Sequence, residues 1–338
     1  MWNETQLDEI LSEPTEDLIN DLADIEGDIM ILGAGGKVGP TISVMLKRAC
    51  DKCKKEHKIY AVARFTDPNV VDLLKSENVT MITADLTDAD QVEALPKVEN
   101  VIYLVGRKFG TSENACETWE MNVAVPVMIA QHFGTARYVV FSTGNVYPFT
   151  RVEEGGCTED TVPEPIGEYG MSSLGRERVF EYAARHYGAK VLILRLNYAV
   201  DLRYGILFDL AQKILADEPI PLDVPAFNCV SQHYVSEVAI RSLKLASEKV
   251  EYLNVTGSET ISTRWAALEL AKKLGKKVTF IESRFETALL SNSQKCIQYF
   301  GYPDRGVLEL ICLQAEWLLT EGRKLGKPTH FNEREGRF

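Results

Sequence analysis

The sequence predicts a doubly wound α/β fold: a parallel sheet with helices on both faces, followed by a smaller C-terminal lobe. Three observations predict it. Short apolar runs alternate with helical stretches from Asp28 to Leu196. The runs are apolar along their whole length, as strands covered on both faces are. A glycine-rich loop, Gly33-Ala34-Gly35-Gly36-Lys37-Val38-Gly39, joins the first run to the first long helix.

The elements follow in order. Residues 1–27 are acidic and read as two short helices around Pro14, with Thr15 as N-cap and Leu18, Ile19 and Leu22 as an apolar stripe. They are expected to form an arm packed on the next domain. Asp28–Gly33 is a strand and Val38–Cys50 a helix. Lys58–Arg64, Val79–Ala84 and Asn100–Val105 are strands, separated by helices at Val70–Lys75 and Ala89–Leu95. Trp119–Phe133 is a helix, Arg137–Ser142 a strand, Gly170–His186 a helix and Lys190–Leu196 a strand. These place a first domain at residues 28–196. Residues 197–338 then read mainly as a second lobe and tail. Pro219, Pro221 and Pro225 mark a loop-rich stretch, and Val250–Thr256, Thr263–Leu274 and Lys277–Ile281 read as strand, helix, strand. Gly306–Leu319 is the last helix, and Gly322–Phe338 is a basic, glycine-containing tail.

Composition narrows the function. With 338 residues, 45% hydrophobic and 25% charged, the chain is long enough for two lobes and is not a disordered polyelectrolyte. The formal charge of −12 opposes binding to a phosphate backbone, so no nucleic-acid partner is expected. No apolar run reaches the roughly 18 residues of a membrane span, and the acidic, Lys- and Arg-free start does not read as a secretory leader. Seven scattered cysteines fit reduced thiols in a cytoplasmic protein. Cys50, Cys53 and His57 have no second ligand pair, so no metal is expected.

The glycine loop carries the first chemistry. Its glycines at 33, 36 and 39 are three apart. The first permits a sharp turn, the second lets a pyrophosphate approach the backbone, and the third allows close helix–strand contact. The helix start offers free N–H groups to an anion. Gly33, Gly36, Lys37, Val38 and Gly39 are therefore candidate dinucleotide contacts of a Rossmann unit. The second strand ends Ala63-Arg64-Phe65, without an acid at its tip. Arg64 can pair with a 2′-phosphate and Lys37 lies in the loop, which favours NADP over NAD; Asp67 points the other way. Asp85 and Leu86 flank the adenine on this reading, or Asp85 caps the next turn.

Further along lie Asn122 in EMNVAVPVMIA, the segment Phe141-Ser142-Thr143-Gly144-Asn145-Val146-Tyr147-Pro148, and Tyr169-Gly170-Met171-Ser172-Ser173-Leu174-Gly175-Arg176-Glu177. With the glycine loop and Asp85-Leu86, this order resembles the extended short-chain dehydrogenases, the NAD(P)-dependent sugar epimerase/dehydratase group, over nearly the whole chain from residue 28. The stretch Tyr252–Gly275 is similar to that family's substrate lobe. The resemblance implies cofactor contacts at Gly106, Asn122 and Tyr198, although Tyr198 also reads as ordinary core packing. It implies Tyr169 as acid/base and Thr143 as the hydroxyl that polarises the reacting oxygen. A phenol, with a pKa of about 10, serves as base only when a nearby charge depresses it. In the family a lysine four residues beyond the tyrosine does so and holds the nicotinamide ribose. Here that position is Ser173. A hydroxyl can bind ribose but supplies no charge.

Three readings stay open. The relay is modified, with the cofactor's charge or Arg176 helping. The protein is a weakened or inactive NAD(P)-binding regulator or sensor. Or another base, Glu153 or Glu154, acts. Family 4,6-dehydratases carry an Asp-Glu pair after the Thr; here those positions are Gly144 and Asn145, which disfavours dehydration. Asn145, Asn197 and Arg203 are the substrate candidates, and Gln232 or His233 could add a polar contact. The function implied is an NAD(P)-dependent oxidoreductase or epimerase acting on a hydroxyl or keto carbon of a sugar-like substrate. Dimerisation through helices 119–133 and 170–186 is implied by the resemblance alone.

Overall fold

The computed structural model describes residues 3–320, 322–326 and 329–338; Lys327 and Pro328 of the predicted tail lie outside them. Helices α1 (Glu4–Ser12) and α2 (Glu16–Ala23) come first, and Thr15 caps α2 as its hydroxyl accepts from Leu18 N–H. Then come β1 (Ile29–Leu32), α3 (Gly39–Cys53), β2 (Ile59–Ala63), α4 (Pro68–Ser76), β3 (Thr80–Thr83), α5 (Ala89–Glu93) and β4 (Asn100–Tyr103). Next are α6 (Ala115–Trp119), α7 (Val125–Phe133), β5 (Arg137–Thr143), α8 (Gly167–Tyr187) and β6 (Lys190–Leu196). The remainder holds α9 (Ile206–Leu215), α10 (Gln232–Arg241), β7 (Glu251–Val255), α11 (Thr263–Leu274), α12 (Gln294–Phe300) and α13 (Val307–Leu319).

The seven strands form one sheet in the order β7-β6-β5-β4-β1-β2-β3, every pairing parallel. Strand order reverses between β1 and β4, so a crevice opens beyond their C-terminal ends. β1 explains why both faces are covered. Ile29 and Ile31 enter a core with α2, α3 and α10, while Met30 and Leu32 enter a second core with α7 and α8. All four are fully buried, and each such side chain stabilises the fold by about 1.5–3 kcal/mol.

Three details depart from the sequence reading. Glu251–Val255 is a strand, but it pairs with β6 as the seventh strand of the main sheet. The sheet thus draws on both expected segments, 28–196 and 197–338. The predicted helix at 119–133 starts earlier, at Ala115, and passes through a π-helical turn at Glu120–Ala124. Pro126 follows that turn; it has no N–H to donate and crowds the carbonyl four residues back, so the helix widens there. Of Lys277–Ile281, only Phe280–Ile281 is extended into a pairing.

The acidic arm packs through four leucines. Leu18 and Leu22 join the core beside α3, and Leu7 and Leu11 join the core of the C-terminal lobe. His233 is also accounted for there: its ring meets Glu13 O at 2.8 Å and Asp304 at 3.3 Å. It is a structural clasp.

Candidate active site

A cavity of about 400 Å³ lies at the C-terminal ends of β1, β4, β5 and β6. The glycine loop forms one wall, through Gly33, Gly36, Lys37, Val38 and Gly39. Gly33 needs its glycine, with φ near +90°. A Cβ on Gly39 would fall 2.6–2.7 Å from backbone atoms of Ala34, so the close approach at the third glycine is made to the loop just after β1 and not to the strand itself. A Cβ on Gly36 would meet only Gly33 O, at 3.3 Å. Nothing in the fold demands that second glycine as strictly, while its surface faces the cavity. Val38, the N-cap of α3, provides no side-chain cap, so the first N–H groups of this helix are left for another acceptor.

The opposite wall carries Thr143, Asn145 and Tyr169. Thr143 ends β5 and Tyr169 sits in the first turn of α8, so the sheet and this helix bring them together. Thr143 Oγ1 donates to Asn145 Oδ1 at 3.1 Å and accepts from Asn145 N–H at 3.2 Å. A hydroxyl has two acceptor lone pairs, so one remains for a ligand hydroxyl. The Tyr169 phenol oxygen makes no hydrogen bond among the described residues. Tyr147, the other tyrosine of this region, is unsuited to proton transfer: burial pushes it up to about 12 despite Arg195, and its hydroxyl is engaged by Asn254 and Arg195 at 2.9 Å each.

Of the other sequence candidates, Gly106, Asn197, Tyr198, Gln232 and Arg176 line the cavity. Asn197 Nδ2 donates to Leu289 O at 3.1 Å, and Tyr198 adopts φ near +45° with its hydroxyl on Phe331 O. Asn122 does not line it. Its side chain ties the loop after β4, accepting from Arg107 N–H at 2.8 Å and from Arg176 at 2.7 Å. Ser173 is fully buried, its Oγ has no hydrogen-bond partner among the described residues, and it does not line the cavity where a ribose would lie. Arg203 is not a substrate contact here. Its guanidinium is consumed by Asp201 at 2.8 Å and by Asp8 at 2.8 Å, with Glu4 at 3.2 Å, so it pins the N-terminal arm. Glu153 and Glu154 lie outside the cavity and bond to Arg151. Arg64 is 66% exposed at the tip of β2, 4.0 Å from Asp85. Asp85 also accepts from Thr87, and Leu86 is buried in the core. Asp67, the acid that pointed towards NAD, caps α4 and pairs with Arg323 at 2.9 Å.

Sequence reasoning missed Lys108, Phe109, Tyr204 and Thr329, which also line the cavity. The ammonium of Lys37 lies 3.4 Å above the Tyr204 ring and 4.5 Å from that of Phe109. The tail closes the same side. Thr329 bonds to Asp209 on α9, Arg334 stacks between Phe149 and Phe285 and donates to Thr287, and Phe338 packs edge-on to Tyr169 at 5.4 Å. Gly167 and Gly336, both at positive φ, let the tail cross the start of α8; a Cβ on Gly167 would overlap Gly336 O. Only the aromatic and glycine content of the tail hinted at this.

The fold and the cavity together define a doubly wound α/β protein in which a glycine loop faces a threonine–tyrosine pair. The chain belongs to the NAD dependent epimerase/dehydratase family, whose pattern residues 29–219 match. No curated protein matches it. Among solved structures, it is similar to a dTDP-glucose 4,6-dehydratase from Streptomyces venezuelae with NAD and TYD bound, at 19% identity and TM-score 0.73, covering 87% of this chain and 97% of that one. A UDP-glucuronic acid 4-epimerase from Bacillus cereus, in complex with UDP-glucuronic acid and NAD, is 18% identical with TM-score 0.71 over 87% and 99%. A UDP-glucose 4-epimerase from Thermus thermophilus, in complex with NAD, is 19% identical with TM-score 0.69 over 86% and 98%. These likenesses concern the fold. No helix among the described residues is long and apolar enough to cross a membrane.

Proposed function

We propose that this protein is an NAD(P)-dependent oxidoreductase or epimerase of the cytoplasm, with NADP favoured over NAD, that acts on a hydroxyl or keto carbon of a sugar-like substrate. One observation carries the reading: Thr143 and Tyr169, far apart in sequence, face the glycine loop across one cavity. The cavity fits a dinucleotide. Gly36 leaves space where a Cβ would protrude, and the start of α3 is uncapped. Gly33 to Gly39 would hold the pyrophosphate, and Arg64 would meet the 2′-phosphate. The solved epimerases and dehydratase with this fold carry NAD or sugar nucleotides in their descriptions, which supports the substrate class.

When bound, the nicotinamide accepts or returns a hydride. The chain's own residues do the rest. Thr143 Oγ1–H, turned from Asn145 Oδ1, donates to the reacting oxygen and polarises it, while Asn145 N–H keeps its bond to Thr143 Oγ1 and holds that oxygen in place. Tyr169 takes the proton as the carbon is oxidised and returns it in reduction. The tail shuts water from the Tyr169 side. Exposed Trp119, Val127, Met171 and Tyr182 lie on α6, α7 and α8, which supports dimerisation through that face.

A second reading is favoured by Ser173, whose burial leaves no charge one turn beyond Tyr169: a cofactor-binding regulator without turnover. Incubation with NADP⁺ or NAD⁺ and polyols, sugar acids or sugar nucleotides separates the two. Growth of reduced-cofactor absorbance, or an epimerised product without it, is expected; absence of both across all three classes favours the regulator.

Two substitutions test the cofactor cradle. Gly36→Ala is expected to keep the melting temperature while lowering NADP⁺ affinity at least about tenfold, because the methyl enters the anion's space. Gly39→Ala is expected to cost about 1–3 kcal/mol of stability through overpacking on Ala34. Thermal melting and calorimetric titration check both. Arg64→Ala removes a charge-assisted contact and is expected to lower the NADP/NAD affinity ratio about tenfold; an unchanged ratio removes Arg64 from the assignment.

A further inference from the structure

Ser173 leaves α8 without a cation beside Tyr169, but the loop after β4 delivers one. We propose that Lys108 supplies the positive charge that supports proton transfer at Tyr169, standing in from another element for the lysine that α8 lacks. The proposal rests on the reading of Tyr169 as acid/base. Lys108 acts through Tyr169, so it is a positioning residue. It keeps its own protons, and no bond to it forms or breaks.

The geometry is direct. Lys108 Nζ lies 5.8 Å from the centroid of the Tyr169 ring, 5.8 Å from that of Phe109 and 5.1 Å from that of Phe338. Three aromatic rings therefore surround the ammonium, attracted to it through their quadrupoles. Among the described residues Lys108 makes no hydrogen bond and no ion pair, so its charge is not neutralised before it reaches the phenol. Burial lowers its pKa to about 8, with Asp209 acting in the opposite direction; the ammonium is still the main form at neutral pH.

Arg176, a further cation at the cavity, is less well placed. It follows Tyr169 by seven residues, about 10 Å along the helix. Two of its nitrogens are committed, Nη1 to Phe141 O at 2.9 Å and Nη2 to Asn122 at 2.7 Å. Other titratable groups on this side of the cavity are Lys37 on the glycine loop, Tyr204 just before α9, Asp209 in its first turn, Tyr198 after β6, and His330 in the tail. Asp209 is the one acid of this set. Burial raises its pKa and the Thr329 contacts oppose that.

A unit positive charge about 6 Å from the ring favours the phenolate over the neutral phenol.

Tyrosinate ultraviolet absorption of the full chain, followed across pH, tests this without a substrate. With 13 tyrosines present, the Tyr169 contribution is the difference between the native protein and Tyr169→Phe. Lys108→Met is expected to move that midpoint up by about one unit or more, and Lys108→Arg, which keeps the charge, to leave it within roughly half a unit. Lys108→Gln serves as a second neutral variant should Met disturb the fold. An unmoved midpoint in the neutral variants overturns the proposal, as does an Arg variant that behaves like Met. Titration with and without NADP⁺ separates this outcome from failure of the cofactor reading: a chain that bound no NADP⁺ would still report the Lys108–Tyr169 coupling.

Discussion

Tyr169→Phe is expected to lower turnover about a thousandfold while leaving NADP⁺ affinity within about twofold. The size follows from the role. A positioned acid or base contributes roughly 10²- to 10⁴-fold, and phenylalanine removes the proton-carrying oxygen and nothing else. The fold has little to lose, because the phenol oxygen has no hydrogen-bond partner among the described residues and the ring contact with Phe338 remains. Steady-state rates on whichever substrate class reduces the cofactor, paired with calorimetric NADP⁺ binding, check both halves. Surviving activity moves the proton transfer to another group; lost cofactor affinity shows that the hydroxyl served binding instead.

The second large effect concerns stability. Glu177 on α8 and Arg195 on β6 form a bidentate pair, 2.9 Å and 2.7 Å, with side chains 0% and 3% exposed. Ser142 adds a bond to Glu177 at 2.6 Å and Tyr147 accepts from Arg195. The pair thus clamps the tyrosine helix to β6, the neighbour of the strand that ends in Thr143. Glu177→Gln leaves a buried guanidinium uncompensated and is expected to cost about 3–5 kcal/mol. For a chain of this length that is a fall of about 5 °C in melting temperature. Replacing both partners by methionine is expected to recover most of the loss, since an apolar pair needs no counter-charge. Turnover should fall in Glu177→Gln as well, because α8 no longer holds Tyr169 against Thr143. A melting curve indistinguishable from native contradicts the clamp.

Much of this was legible in the sequence, for physical reasons. Apolar strands such as Ile29–Leu32 announce a covered sheet because every position along them is buried. The glycine loop announces its own geometry because Gly33 and Gly39 have no substitute there. Tyr169 and Thr143 were found through motif order, which local chemistry preserves. Long-range contacts were not legible. Arg203 resembled an anion binder in its loop, yet its own loop's Asp201 and two acids of the N-terminal arm meet it. Ser173 shares its spacing from Tyr169 with a lysine that reaches ribose, but a short side chain at that position ends inside the protein. Lys108 carried no motif. Its place beside Tyr169 depends on where the loop after β4 crosses α8 and on where Phe338 comes to rest, and neither is a local property. The tail gave no periodic signal because backbone bonds and stacked guanidinium groups, not an amphipathic pattern, hold it.

The central claim is that a pyridine dinucleotide lies along the glycine loop with its reactive ring turned towards Tyr169. Calorimetric titration of the purified chain with NADP⁺, NADPH, NAD⁺ and NADH tests it most directly. Micromolar or tighter binding of the NADP forms, with the NAD forms weaker, is the predicted result; no measurable affinity for any of the four contradicts it.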